Sequence, residues 1–362
     1  MYIILGKPTC GFCKASLALC AFKNKKYIFI NIDEPNNKKM CKKLNKYVPK
    51  NYKYVPKIIY LFKNKYKFIG GHNELKTNLK VGGGIHLKKT KKGKCSPKYT
   101  KKKNNKTCYD KKALIEIIEA YNQLNVLDKI ETNTKDTIDN LWDKLDKKLE
   151  LKCNDEVCWS KVTNKNNLVK THFRPYKKLS WEYNPRRWLD TNDINNVLSQ
   201  YENKYIGFKY LGCIPMDFDT KLNNECVDKT HCSFNLKNEL NGNKKYFASV
   251  YNLQKHNESG SHWVATFINS PKKEVYFFDS TSNKPYPEIV NFVNRIIKQS
   301  LEIGPKYEFK INTYAHQKKD TECGVYCINF IENMIQGVPF DDYISNIQDD
   351  DIMFQNRDKY FS

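Results

Sequence analysis

Four polar residues in the C-terminal part of the chain have the types and order that thiol-dependent hydrolysis requires. Cys323 precedes an apolar run, and Gln317 lies six residues before it. His262 and Asp279 lie further upstream, seventeen residues apart. A thiol hydrolase needs a thiolate, a base, a group that orients the base, and donors for the oxyanion. Cys323, His262 and Asp279 could fill the first three roles, and the Gln317 amide and the Cys323 backbone N–H the fourth.

The predicted strands place three of these side chains at strand ends. Three segments alternate apolar and polar residues, which predicts strands. They are residues 261–269, 273–280 and 306–317. His262 begins the first strand, Asp279 ends the second and Gln317 ends the third.

The segment that follows predicts a helix with the cysteine at its start. Residues 323–336 are mostly apolar, which is typical of a central buried helix. A helix N-terminus stabilises an anion, so this position favours the thiolate of Cys323. Gly324 lets a substrate carbonyl approach the backbone without interference from a Cβ atom.

Simpler interpretations of the same residues remain open. Cys323 could be a buried structural thiol and His262 a core histidine, but this leaves Gln317 and Asp279 without a role. A zinc site is a further alternative, although the spacing of its ligands fits no common structural site. Those ligands would be Cys213, Cys226, His231 and Cys232. We expect no metal.

The order of these landmarks resembles that of the proteases of ubiquitin-like proteins and of adenovirus-type proteases. The landmarks are His262-Trp263, Asp279-Ser280, Gln317 and Cys323-Gly324, preceded by the segment PRRWLDTNDI at 185–194. The resemblance implies a papain-like catalytic domain of the SUMO-protease and adenain type, with the triad His262, Asp279 and Cys323. The resemblance also implies that proteolysis needs no cofactor.

The resemblance also implies a narrow substrate channel. Trp188 stands where SUMO proteases have a tryptophan that covers a Gly-Gly pair, and Trp263 and Gly324 would line the same channel. Only residues without side chains pass such a channel, so cleavage after Gly-Gly-like motifs is expected.

A second pattern lies near the N-terminus. Cys10-Gly-Phe-Cys13 follows a predicted strand and precedes a predicted helix, and Val55-Pro56 and Gly70-Gly71 lie downstream. The pattern resembles glutaredoxins, with Gly-Phe in place of the family's usual Pro-Tyr. It implies a thioredoxin-like fold with Cys10 and Cys13 as the redox pair.

The same resemblance implies a glutathione groove, with glutathione as a possible cofactor. Its residues would be Lys7, Val55, Pro56, Gly71, His72 and Asn73. The alternative is a redox-inactive copy of the fold that serves as a docking module.

Composition and charge divide the chain into three parts. The sequence of 362 residues has 40% hydrophobic residues, enough for more than one core, and a net charge of +24 that favours polyanionic partners. We predict a mixed α/β (α+β) protein with a glutaredoxin-like domain at 1–85, a lysine-rich linker and helical module at 86–160 and a cysteine protease domain at 161–362. The basic block at 86–112 is a solvated linker or a DNA-binding arm.

The expected setting is a soluble intracellular protein without a membrane span, in which the 13 cysteines serve catalysis, redox chemistry or metal binding rather than a disulfide framework. The segment 107–122 resembles a helical module of large DNA viruses. This favours a protease that matures viral core or capsid precursors, in the virion and the host cytoplasm, with a protein substrate as partner. The alternatives are a SUMO or ubiquitin-like isopeptidase, and a redox or scaffold protein with an inactive protease fold. The glycines at 82–84 are a flexible linker or a self-processing site.

Overall fold

The structure is a computed structural model that divides into two compact units, Met1–Lys88 and Lys89–Ser362. The residues it describes are 1–22, 26–49, 51–62, 65–75, 95–99, 107–150, 152–153, 155–346 and 348–362. Most of the basic block and the glycines at 82–84 lie outside these ranges.

The first unit is a four-stranded sheet with a helix on each face. Its elements are β1 (Tyr2–Gly6), α1 (Gly11–Phe22), β2 (Tyr27–Asn31), a 3-10 turn (Pro35–Asn37), α2 (Lys38–Asn45), β3 (Lys57–Phe62) and β4 (Lys65–Gly70). The strand order is β2-β1-β3-β4, and only the β1–β2 pair is parallel. Because successive strand residues point to opposite faces, Ile3 packs with Leu44 and Val48, whereas Ile4 packs with Cys20 and Leu75.

The strand predicted before Cys10 is β1, and the helix predicted after Cys13 is α1, which already begins at Gly11. Residues 72–75 are also helical, and the residues directly after them lie outside the described ranges.

The second unit begins with short helices. They are α3 (Lys111–Leu124), α4 (Ile138–Leu149), α5 (Glu156–Val162), α6 (Asn166–His172) and α7 (Ser180–Tyr183). The apolar residues of the first two helices that recur at helical spacing are buried, Ile138 excepted. Asp110 and Thr137 cap the two helices through their side chains, which satisfies backbone N–H groups that lack a helical partner.

The expectation that the cysteines would not form a disulfide framework is wrong for six of them. The disulfides are Cys95–Cys108, Cys153–Cys158 and Cys226–Cys232. Sequence spacing could not identify these pairs, because a disulfide requires proximity of Cα atoms that only the folded chain shows.

The remainder of the second unit surrounds a five-stranded sheet of order β11-β10-β9-β8-β5. Its strands are β5 (Phe208–Pro215), β8 (Tyr246–Asn252), β9 (Trp263–Asn269), β10 (Glu274–Phe278) and β11 (Glu308–Ile311), and β6 (Lys221–Leu222) and β7 (Glu225–Cys226) form a separate ribbon. Its helices are α8 (Thr191–Lys204), α9 (Lys229–Cys232), α10 (Leu236–Asn241), α11 (Pro287–Leu301), α12 (Cys323–Ile335), α13 (Phe340–Ser345) and α14 (Asp350–Tyr360). Strands β8, β9 and β10 are antiparallel to their neighbours in this group, whereas β5 and β11 run parallel to β8 and β10.

The sheet is covered on both faces, so its central strand is buried throughout. Every residue of β9 is buried. Ala265 and Phe267 face a core shared with α8 and α12, whereas Val264 and Ile268 face a core shared with α11. The alternation read from the sequence therefore separates two apolar cores here, rather than a core from solvent.

Helix α12 is central, as predicted, and only Asn333 among its residues is not buried. Within the described ranges, every helix is too short or too polar to span a lipid bilayer.

Candidate active site

The structure brings His262 and Asp279 into contact. His262 directly precedes β9 and Asp279 directly follows β10, and these strands are antiparallel with Phe278 opposite Ala265. The beginning of one strand therefore lies beside the end of the other. The His262 Nε2 atom is 2.7 Å from the Asp279 Oδ1 atom. The side chain of Asp279 is 1% exposed and that of His262 is 19% exposed, so the imidazole has access to a ligand.

Asp279 is kept ionised by its hydrogen bonds. Burial opposes this, but the hydrogen bond and charge of His262 and two bonds from Thr281 lower the pKa of the Asp279 carboxyl. The Thr281 backbone N–H and hydroxyl donate to Oδ1 over 2.9 and 2.8 Å. Sequence reasoning missed Thr281, although a threonine two residues after an aspartate is a common turn signal.

Asn312 fixes the backbone of Asp279. Its Oδ1 accepts from the Asp279 N–H over 2.9 Å, and its Nδ2 donates to the Asp279 carbonyl over 2.8 Å. Asn312 is buried and also donates its own N–H to Phe277 O. Sequence reasoning missed this residue as well. The signal was an asparagine directly after strand β11.

The imidazole is held between Asp279 and Cys323. Burial lowers the pKa of His262, but hydrogen bonds and charge interactions with Asp279 and Cys323 outweigh this and raise its pKa to about 10. Because Nε2 is bonded to Asp279, Nδ1 is the ring nitrogen left for the thiol. The raised pKa favours the protonated imidazole of His262 at neutral pH.

Cys323 is the first residue of α12, as predicted, and the residue before it forms a buried ion pair. Arg357 Nε donates to Glu322 Oε2 over 2.8 Å, and the two side chains are 3% and 0% exposed. Burial raises the pKa of Glu322 in spite of Arg357. Arg357 Nη1 also donates to Arg187 O over 2.8 Å, so α14 supports both the cysteine and the segment that carries Trp188.

The prediction that Gln317 ends a strand is wrong. Strand β11 ends at Ile311, and Gln317 lies in the loop between β11 and α12. Its Oε1 accepts from the Ser280 hydroxyl over 2.7 Å, and its Nε2 donates to Lys319 O. One N–H of the amide remains for another acceptor.

Asp350 holds this loop in place. Its Oδ2 accepts from the backbone N–H groups of Lys318 and Lys319, each over 3.0 Å. Asp350 is buried and is the first residue of α14. Its position thus links the loop of Gln317 to the same helix that carries Arg357.

Two adjoining clefts share Trp188 and Ser261. One, of about 670 Å³, is lined by His262 and Gln317 among others, and the second, of about 890 Å³, extends past Trp263. Trp188 is 44% exposed, whereas Trp263 is buried and donates its indole N–H to Leu189 O over 2.9 Å.

Gly324 differs from the expectation that it faces a substrate. A Cβ atom at this position would lie 3.1 Å from Leu189 Cβ, 3.3 Å from Ile194 Cδ1 and 3.3 Å from Trp263 Cδ1. The glycine therefore allows α12 to pack closely against these three side chains.

The residues considered for zinc have other partners. Cys226 and Cys232 are bonded to each other, and His231 contacts Asp228 through Nδ1 and Ser249 through Nε2, both over 2.7 Å. Among the residues that the structure describes, no group of three potential ligands could hold a metal ion.

In the first unit, Cys10 precedes α1 and Cys13 lies in it. Burial opposes ionisation of Cys10, but hydrogen bonds from the Cys13 side chain and the backbone of α1 lower the pKa of its thiol. The Cys13 backbone N–H donates to Cys10 Sγ over 3.3 Å. Burial and the bond to Cys10 raise the pKa of Cys13 to about 11.

Several residues of the predicted glutathione groove have internal contacts. The Val55–Pro56 bond is cis, as the resemblance implied. Lys7 pairs with Asp33 over 3.1 Å, the Gly71 N–H donates to Glu74 over 2.8 Å, and His72 Nδ1 lies 3.0 Å from Ser16 Oγ.

Three comparisons relate this chain to known proteins. The profile of the Ulp1 protease family, C-terminal catalytic domain, matches residues 256–361. A protein of Acanthamoeba polyphaga mimivirus named as a thiol protease is 30% identical over 276 residues, which cover 70% of this chain and 87% of the relative. A protein of African swine fever virus named a SUMO-1 cysteine protease is 27% identical over 118 residues, which cover 32% of this chain and 43% of the relative.

The fold of this chain has a partial counterpart among solved structures. The crystal structure of an African swine fever virus protease superposes with a TM-score of 0.54 and 19% identity, covering 75% of this chain and 96% of that one.

Proposed function

The chain belongs to the Ulp1 protease family, and from this premise we propose that it is a viral cysteine endopeptidase that cleaves after small-residue pairs of the Gly-Gly type. The observation that carries the proposal is the series Asp279, His262 and Cys323, in which one imidazole bonds a buried carboxylate and has its pKa raised by that carboxylate and by the thiol at a helix N-terminus. We further propose core or capsid precursors as its substrates, in the virion and the host cytoplasm.

The proposed reaction uses this series in order. The ring of His262 carries the proton that Cys323 has given up, and the sulfur of Cys323 attacks the carbonyl carbon of the scissile bond. Asp279 holds the ring so that Nδ1 faces the thiol. The remaining N–H of Gln317 and the backbone N–H of Cys323 donate to the oxyanion. The protonated His262 then releases the amine, and water hydrolyses the acyl-enzyme.

The clefts support the proposed preference for glycine. Trp188 presents an exposed indole beside the cleft that His262 and Gln317 line. Trp188 and Trp263 both line the larger cleft, so a peptide bound there would contact both indoles.

The test is cleavage of fluorogenic Gly-Gly-x peptides and SUMO fusions in the presence of reductant. Cys323→Ala should abolish cleavage, whereas Cys327→Ala should retain it, because Cys327 is buried in the same helix outside the proposed machinery. Gln317→Ala should lower turnover by between about a hundredfold and a thousandfold if its amide binds the oxyanion. Absence of Cys323-dependent cleavage of both substrates would reject the proposal.

A SUMO-type isopeptidase is the second candidate, and the name carried by the African swine fever virus relative supports it. The two candidates differ in substrate. An isopeptidase cleaves folded SUMO fusions and leaves short peptides intact, whereas a precursor protease cleaves both.

We also propose thiol–disulfide exchange by the first unit, with glutathione as its partner. The lowered pKa of Cys10 and the raised pKa of Cys13 support an attacking and a resolving thiol. Lys7, Val55, Pro56, Gly71, His72 and Asn73 would bind glutathione. Reduction of a glutathione mixed disulfide should be lost in Cys10→Ser and kept in Cys20→Ser, whose thiol is buried. Loss in both variants, or in neither, would reject this role.

The charge of the basic block at 86–112 supports a further proposal, DNA binding. Such binding should weaken steeply with salt as counterions are released. Salt-independent binding, or none at low salt, would reject it.

A further inference from the structure

The residue after Asp279 bonds the proposed oxyanion donor. The Ser280 hydroxyl lies 2.7 Å from Gln317 Oε1. Both residues are buried, and the Ser280 carbonyl accepts from the backbone N–H groups of His316 and Gln317, each over 2.8 Å. The dipeptide Asp279-Ser280 therefore contacts the base with one side chain and the amide with the next.

The direction of this hydrogen bond follows from the other end of the amide. Gln317 contacts Lys319 O, a backbone carbonyl that can only accept. The NH₂ group must therefore face Lys319, and the amide oxygen must face Ser280. The hydroxyl is then the donor.

We infer that Ser280 is a positioning residue that orients the Gln317 amide so that its free N–H is presented to the oxyanion. The inference rests on the proposed function. Without the hydroxyl, the amide oxygen loses its donor in a buried site, and a buried acceptor without a donor is unfavourable. The side chain then turns towards the cleft to bind water, which removes the N–H from the reacting carbonyl.

Replacement of the side chain isolates this effect. In Ser280→Ala the backbone carbonyl still accepts from His316 and Gln317, so the course of the loop is preserved. Ser270→Ala is a matched control, because Ser270 is buried on the same sheet and its hydroxyl has no hydrogen-bond partner in the described structure.

The experiment is a double-mutant cycle on cleavage of a Gly-Gly-x peptide. Ser280→Ala should lower kcat about tenfold, as expected for one lost hydrogen bond, and leave KM within about twofold. In the Gln317→Ala background it should have no further effect, because the amide is already absent. Ser280→Thr should recover most of the activity, and Ser270→Ala should match wild type.

The outcomes separate the inference from the proposed function. If the wild-type protein shows no cleavage that depends on Cys323, both the inference and the proposed function are rejected. If wild type cleaves but Ser280→Ala lowers kcat by the same factor with and without Gln317, the hydroxyl acts elsewhere and the inference is overturned. An effect that appears only with Gln317 present supports it.

Discussion

Replacement of Arg357 by methionine tests the buried ion pair behind the proposed nucleophile. The change removes the guanidinium that donates to Glu322 Oε2 over 2.8 Å and to Arg187 O over 2.8 Å. Methionine keeps much of the apolar volume beside Trp181, over whose ring the guanidinium lies at 5.1 Å. The variant therefore removes charge and hydrogen bonds more than packing.

The expected loss of free energy of unfolding is large, because the Glu322 carboxylate loses the cation that bonds it directly. Its side chain is 0% exposed, and the remaining cation, Arg186, lies 3.7 Å away. Removing one member of a buried pair leaves an uncompensated charge and costs about 3–5 kcal/mol. Arg186→Met is the matched control, because Arg186 is 32% exposed and also pairs with the exposed Asp351. It should cost less than about 1 kcal/mol.

The loss should also depend on pH. The pKa of Glu322 is raised, so the ionised form is the one that destabilises the folded state. The neutral Glu322 carboxyl makes its full contribution to the free energy of unfolding below its ordinary pKa of 4.5. This contribution declines as the pH rises through the pKa that the carboxyl has in the folded protein. Without Arg357 the pKa rises further. The difference between wild type and Arg357→Met should therefore be larger at pH 7 than at pH 4.5.

Urea unfolding followed by tryptophan fluorescence measures this difference. All 5 tryptophans lie after residue 140, so the signal reports the second unit. Addition of Glu322→Gln to Arg357→Met should restore part of the free energy of unfolding. A loss below about 1 kcal/mol at pH 7, or an equal loss at both pH values, would refute the reasoning.

Three further predictions concern the other polar contacts. Asn312→Ala removes the side chain that bonds the Asp279 N–H and carbonyl. The free energy of unfolding should therefore fall by about 2–4 kcal/mol and kcat by about tenfold. An unchanged kcat would contradict the role of Asn312 in fixing Asp279. The raised pKa of His262 stabilises the fold fully below pH 6.5, and this stability is lost as pH rises through about 10. The stability difference between wild type and His262→Ala should therefore shrink over that window, and a constant difference in urea unfolding would contradict this. Iodoacetamide at pH 7 should label Cys10 before Cys13, as mass spectrometry would show, because only the pKa of Cys10 is lowered; equal rates would contradict it.

The strands and the contact between His262 and Asp279 were predictable from the sequence. Both side chains lie at ends of apolar strands joined by a short turn, and such strands pair in antiparallel fashion. The position of Cys323 at the start of an apolar helix was also predictable, because the hydrophobic pattern indicates where the helix begins.

The contacts that depend on distant parts of the chain were not predictable. Alternation of residue types continues past Ile311, but the ladder ends there and the Asn312 side chain bonds Asp279 instead. We expected Gly324 to face the substrate, because the neighbouring sequence does not indicate its close packing against Leu189 and Trp263. Glu322 and Arg357 are 35 residues apart, and their burial could not be read from two ordinary surface residue types.

Division of the site between helix and sheet has a consequence for synthesis of the protein on the ribosome. His262 and Asp279 emerge first, Cys323 follows on α12, and α14 comes later with Arg357 and Asp350, which hold Glu322 and the loop of Gln317. A nascent chain that ends before α14 lacks both anchors. We therefore expect the proposed hydrolytic activity to arise only after α14 has been synthesised and has packed against Glu322 and the loop of Gln317.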